Sequence, residues 1–291
     1  MKIVVHIGYY KTGTTSLQEH FDSRRVEHTE QGLLYPAAPR PPLPGGEGHH
    51  ANHSTLPFAL LEQEGRDIPP WFRRSRRSDP EATDFAPVMS ALQAEIADSD
   101  ATTVLISSEE FIRFGEDEST IPLVTRVCEQ LGDHEIEAIV YLRRPDRYLD
   151  SWYNQLVKMG LPRPRLSDDM DAYLHTVHVD FARALQPWVD VLGKEKVSVR
   201  NYDELGDRSV VEDLLGVLGR VDLAEPDGTE RSNQRVPNLF VESKRVWNHL
   251  AKPKQRPMFD RQSRRIAPLI EFTGKVTTLD ERARKILHGA F

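Results

Sequence analysis

The strongest constraint on this chain is a junction near its start. The apolar run KIVVHI (residues 2–7) meets a loop bounded by Gly8 and Gly13, and a helical pattern begins near Thr14. A short apolar run without a polar face reads as a strand buried on both sides. A strand, a glycine loop and a helix in that order open a βα unit. Similar runs recur at 103–107 (TVLIS), 138–142 (AIVYL) and 196–200 (KVSVR). Helical patterns lie between them. Over 145–158, Tyr148, Leu149, Trp152, Leu156 and Val157 recur at helical spacing, with Pro145 suited to the first turn and Gly160 to the stop. Strands alternating with helices predict an α/β fold, a parallel β-sheet flanked by helices. Ligands on such sheets sit at the carboxyl ends of strands, so each loop after a strand is a candidate site.

Composition narrows the class. The 291 residues fit a single domain, 1–291, with no fixed-period repeat. Cys128 is the one cysteine, which removes internal disulfides, cysteine-based zinc sites and redox pairs. Lys+Arg 38 against Asp+Glu 45 gives a net charge of -7, which argues against a nucleic-acid partner. Mean hydropathy is -0.53, and no window approaches the roughly 20 apolar residues that cross a bilayer. The N-terminus meets Lys11 before a secretory apolar region develops. A soluble, cytoplasmic protein without membrane insertion is expected. Residues 36–100 differ from the rest: eight of the 20 prolines fall between Pro36 and Pro70, with Gly45, Gly46 and Gly48 among them. This predicts a lid-like excursion, the alternative being a surface insertion. A basic run at 252–265 reads as a solvated face or as the rim of an anion pocket.

The first loop carries chemistry. Gly8 to Thr15 reads G-Y-Y-K-T-G-T-T. It has the length of the phosphate-binding pattern G-x-x-x-x-G-K-[ST], with Gly8 and Gly13 in register and Thr14 where that pattern has lysine. The fold expectation is therefore P-loop NTPase-like. Lys11 lies inside the loop instead, where its charge meets a different atom of a shorter ligand. The hydroxyls of Thr12, Thr14, Thr15 and Ser16 join it within six residues. Such a loop wraps an anion at a helix N-terminus; the bland alternative is a tight strand-to-helix turn.

At H-I-G-Y-Y-K-T-G-T-T-S-L the chain resembles the phosphosulfate-binding loop of sulfotransferases that use 3′-phosphoadenosine 5′-phosphosulfate (PAPS). The resemblance implies the sulfotransferase fold. It also implies that Lys11 contacts the oxygen bridging phosphate and sulfate, and that Thr12, Gly13, Thr14, Thr15 and Ser16 hold the 5′-phosphate. The family's 3′-phosphate motif is a strand ending in Arg-x-Pro with a serine eight residues after the arginine, and Arg143, Pro145 and Ser151 fit it. A strand-end arginine offers forked donors to a phosphate. A further family arginine is replaced here by Tyr148, with Arg147 nearby. The bland alternative makes Arg143, Arg144 and Arg147 surface charges, at the helix end whose dipole disfavours cations. S-S-E-E-F (107–111) and V-S-V-R-N-Y-D-E-L (197–205) also resemble bacterial members.

Sulfuryl transfer needs an in-line acceptor, a stabilised leaving phosphate and a base for the acceptor proton. The transferred group carries less charge than a phosphoryl group, so no metal is expected. His50, in H-H-A-N-H (49–53), is the favoured base, and Glu110 or Glu109 after the middle strand is the alternative. A metal site at His49, His50 and His53 lacks further ligands. The expected activity moves a sulfuryl group from PAPS to an acceptor hydroxyl, by family analogy on a glycan. The rival readings are a P-loop kinase or NTPase, and a non-catalytic nucleotide-binding protein.

Overall fold

The computed structural model describes residues 1–41, 43, 49–81, 83–224 and 238–256. In chain order the elements begin β1 (Lys2–Ile7), α1 (Thr14–Ser23), α2 (Arg25–Glu30), β2 (Leu33–Leu34), α3 (Thr55–Gln63), α4 (Pro70–Ser78), α5 (Phe85–Ala97) and β3 (Thr103–Ser108). They continue with α6 (Pro122–Leu131), β4 (Glu135–Leu142), α7 (Pro145–Lys158), α8 (Asp171–Leu174), α9 (Phe181–Leu192), β5 (Val197–Asn201), α10 (Val210–Val217) and α11 (Asn238–Leu250). The described residues divide into two compact units, those of 1–142 with 181–224, and those of 143–180 with 238–256. Pro42, Pro44, Gly45, Gly46 and Gly48 of the Pro/Gly cluster, and residues 257–265 of the basic run, lie outside the described residues. Among the described residues no helix is long and apolar enough to cross a membrane.

The first unit is an α/β layer structure. Among the described residues its five strands are all parallel, in the order β2-β3-β1-β4-β5. The four apolar runs are β1, β3, β4 and β5. Only β2, two residues long, gave no pattern to read. β1, β3 and most of β4 are covered on both faces and have no polar side, which is why those runs are continuous, whereas β5 lies at the sheet edge, alternates as Val-Ser-Val-Arg and leaves Val199 exposed. On one face Val4, Leu105 and Ile139 meet Leu17 and Phe21 of α1 and Val211, Leu214 and Leu215 of α10. Elsewhere in this unit α9 packs on α6 and on the 3₁₀ turn Glu109–Gly115, where Phe111 and Phe114 meet Trp188 with ring centroids 5.6 and 6.3 Å apart. Each large side chain removed from water contributes about 1.5–3 kcal/mol.

Residues 36–100 form the connection from β2 to β3. Over its described part this connection is helical and well packed. Thr55 to Leu61 of α3 are all buried, α3 contacts α5, and Phe72 of α4 lies 5.0 Å from Phe58. The start of the connection is tied down by side chains. The Glu95 carboxylate accepts the Ala37 and Ala38 N–H groups at 2.8 and 3.0 Å. Arg40, buried, pairs with Asp22 of α1 and donates to the Pro36 carbonyl at 2.8 Å.

The second unit pairs α7 with α11. A helix C-terminus leaves carbonyls unsatisfied, and this one is met by side chains. Lys244 donates to the Lys158 carbonyl at 2.5 Å, Asn248 to Val157 and Leu161 at 2.8 and 3.2 Å, and Arg256 to Gly160 at 3.1 Å.

Candidate active site

β1 is central, and the chain crosses from β3 on one side of it to β4 on the other. The loop leaving β1 therefore lies where an open sheet binds ligands. Two of its positions favour glycine. A Cβ on Gly8 would lie 3.0 Å from Thr14 Cγ2 and 3.1 Å from the Glu109 backbone nitrogen. Gly13 has φ +80°, and a Cβ there would lie 3.0 Å from Val210 Cγ1 and 3.3 Å from the Tyr202 ring. The loop is thus gripped by the turn after β3 and by the residues after β5. Lys11 also has a left-handed backbone, φ 66°. For a residue with a Cβ this costs about 1–3 kcal/mol and collects at ligand sites.

α1 starts with no side-chain cap and no acidic residue in its first turn. Its first N–H groups have no partner within the helix, and its dipole adds positive potential. That arrangement suits an anion. The hydroxyls divide. Thr12 donates to the Tyr9 carbonyl at 2.6 Å and Thr14 to Glu109 Oε1 at 2.5 Å, so both serve the loop itself. Thr15 is exposed and Ser16 half-buried.

The two carboxylates after β3 have different surroundings. Glu109 accepts from Thr14 on one oxygen and from Gln18 Nε2 on the other at 3.0 Å, so α1 uses both. Glu110 accepts from the Tyr10 hydroxyl at 2.7 Å, while Arg113 Nη1 lies 3.5 Å from its second oxygen. Its side chain is 15% exposed. Burial raises its pKa to about 7, against the pull of Arg113 and of the Tyr10 hydrogen bond. A carboxyl that titrates near neutrality suits proton transfer.

The histidines of 49–53 take separate positions. His53 is buried and bound to the β3 backbone. Its N–H donates to the Ser107 carbonyl at 2.8 Å, and its Nδ1 accepts the Ser107 N–H at 2.8 Å. Nε2 must then carry the proton that bonds the Pro36 carbonyl at 3.0 Å. With both ring nitrogens engaged and its pKa lowered to about 3 by burial, His53 is neither ligand nor base. The His50 ring packs at a tilt on Trp71 with centroids 5.1 Å apart, and its backbone N–H donates to the Pro41 carbonyl at 2.8 Å. Its Nε2 is buried without a hydrogen bond among the described residues, and burial lowers its pKa.

Arg143 is the first residue of the second unit, half-buried, and Ser151 lies half-buried on α7. Arg144 is neutralised by Asp146, with contacts of 3.0 and 2.6 Å, and Arg147 is exposed. Tyr148 is buried and hydrogen-bonds His178 Nδ1 at 2.8 Å.

No family model and no curated protein matches this chain. Solved structures do. Its structural neighbours are sulfotransferases. A sulfotransferase from Alicyclobacillus acidocaldarius is 15% identical with a TM-score of 0.47, covering 93% of this chain and 96% of that one. The sulfotransferase domain of a Synechococcus olefin synthase is 14% identical with a TM-score of 0.41, covering 99% and 94%. The sulfotransferase domain of the curacin biosynthetic pathway is 14% identical with a TM-score of 0.40, covering 99% and 96%.

Sequence reasoning passed over Tyr10, Gln18 and Arg113. Tyr10 left one signal, a large phenol inside a loop otherwise made of glycine, lysine and small hydroxyls. Gln18 and Arg113 are ordinary helix and turn residues until the fold sets them beside Glu109 and Glu110.

Proposed function

We propose that this protein is a sulfotransferase that moves a sulfuryl group from PAPS to an acceptor hydroxyl. The observation that carries the reading is the β1–α1 loop: Lys11 held in a left-handed conformation before an uncapped helix N-terminus, with Glu110 hydrogen-bonded to the same loop. PAPS, when bound, supplies a sulfuryl group on a phosphate leaving group. The chain's part is to hold and to discharge. The N–H groups of Thr14, Thr15 and Ser16 and the Lys11 ammonium hold the 5′-phosphosulfate, and Lys11 neutralises charge that develops on the leaving oxygen. Thr12 and Gly13 shape the loop, Thr12 through its bond to Tyr9. Arg143 and Ser151 are assigned to the 3′-phosphate on their sequence motif alone. Glu110 takes the acceptor proton on the oxygen that faces Arg113, since Glu109 has both oxygens engaged by α1.

His50 is the second reading for the base, favoured by its unbonded Nε2. The two readings differ in pH. A Glu110 base gives an acid limb near pH 7, and a His50 base gives one below the ordinary histidine value of about 6.5. The acceptor class proposed is a carbohydrate or glycoconjugate hydroxyl, by analogy alone.

Transfer of labelled sulfate from PAPS to a panel of hydroxyl acceptors tests the function. Lys11→Ala is expected to lower the rate on the order of 10²–10³-fold in a folded protein, by analogy with other oxyanion donors. Near-normal turnover in that variant would remove the assignment.

A further inference from the structure

We propose that Tyr10 is a positioning residue for Glu110, coupling the donor loop to the group that takes the acceptor proton, with Arg113 as its counterpart on the other oxygen. The inference rests on the sulfotransferase reading above. It goes further by giving a role to a loop residue that the phosphate-binding motif leaves without one.

The loop meets both carboxylates of the turn after β3, in different ways. Thr14 and Gln18 close both oxygens of Glu109 with neutral donors from α1. Tyr10 bonds one oxygen of Glu110 at 2.7 Å, and the second lies 3.5 Å from Arg113, beyond a strong charge-assisted bond. Arg113 is itself held elsewhere, by Glu116 at 2.7 Å and by the Asp67 carbonyl at 2.8 Å. Its charge reaches Glu110 while its donors are largely engaged. The second oxygen of Glu110 is the one left to accept.

The groups around this carboxyl set its protonation. Tyr10 faces it from the loop, and Glu109, Arg113 and Glu116 belong to its own turn and its end. Arg66 pairs with Glu116 at 3.4 Å, and Arg183 of α9 donates to the Gly115 and Glu116 carbonyls. Burial and Glu109 favour the acid, whereas Arg113 and Tyr10 favour the carboxylate. The Tyr10 hydroxyl donates more strongly to the carboxylate than to the neutral acid, so removing it makes the carboxylate less stable and raises the pKa. Tyr10 precedes Lys11 directly, so a displacement of the loop moves the donor that fixes the base.

The test is Tyr10→Phe, read in two ways. Infrared difference titration follows the Glu110 carboxyl, identified as the band lost in Glu110→Gln. The expected result is a midpoint raised by about one pH unit, a kcat acid limb raised equally, and an unchanged KM for PAPS. Arg113→Lys, which keeps the charge, should move both by less, and it carries the test if Tyr10→Phe does not fold. A carboxyl midpoint that stays in place in Tyr10→Phe overturns the coupling while leaving the base assignment standing. A midpoint that moves while the acid limb stays overturns Glu110 as the base, and with it the positioning role. Absence of transfer by the unaltered protein would defeat the functional reading, while the infrared shift would still report on the Tyr10–Glu110 bond.

Discussion

The turn after β3 and the segment 49–53 both offer acid–base side chains, and the structure uses them in opposite ways. In the turn, Glu110 is fixed by one neutral donor and one partly engaged arginine, at the foot of the phosphate-type loop. In the segment, His53 has both nitrogens bonded to backbone and serves to fasten the β2–β3 connection to β3. His50 packs on Trp71. A cluster of histidines is a conspicuous sequence signal, yet one of the three is a structural pin. A pair of glutamates after a strand is a plain signal, yet one of them has its pKa raised to about 7. The chemistry follows from which lone pairs the fold leaves unused.

The largest expected effect separates these regions by activity. Glu110→Gln should lower turnover by roughly 10²-fold or more, the scale of a positioned base. Normal turnover in Glu110→Gln beside an inactive His50→Ala would move the base to the segment 49–53. Next comes stability. His53→Ala removes two side-chain hydrogen bonds and leaves the buried Ser107 N–H without its partner, while the Pro36 carbonyl keeps its bond from Arg40, for a loss of about 2–4 kcal/mol in urea unfolding. A loss below about 1 kcal/mol would show that His53 does not fasten the connection.

Much of this was legible in the sequence. Strands β1, β3, β4 and β5, the helix from Thr14 and the helix from Pro145 follow from continuous apolar runs and helical spacing. Lys11 and Gly13 were marked by motif, and the strain at Lys11 appears only in the backbone angles. The helices of 55–97 were not legible. Thr55 to Leu61 are buried on every side, so α3 has no polar face to give a period, and Pro57 in its first turn reads as loop. The role of His53 was also hidden, because its partner Ser107 lies far along the chain and the contact depends on how β3 is placed.

A smaller effect concerns acid. His6 and His53 have pKa values lowered to about 3 by burial, while the unfolded chain binds protons below about pH 6.5. Stability is therefore complete above pH 6.5 and falls as pH drops toward 3, by about 1.4 kcal/mol per pH unit for each histidine. Glu110, with its pKa raised, acts in the opposite sense between its ordinary value and about 7. Urea midpoints at pH 7.5, 6 and 5 should decline most steeply in the last interval. A flat series would mean that these imidazoles are not held neutral. The smallest effect is His50→Ala, expected to cost less than about tenfold in turnover, since its ring packs on Trp71.

In the function proposed above, the loop around Lys11 binds an adenosine bisphosphate rather than a triphosphate. Calorimetry of adenosine 3′,5′-bisphosphate and of ATP–Mg²⁺, on the same protein, tests it most directly. Tight binding of the bisphosphate without metal is expected, weakened at least about tenfold by Lys11→Ala, with weak binding of ATP–Mg²⁺. Preference for ATP–Mg²⁺, or bisphosphate affinity unchanged in Lys11→Ala, would contradict it.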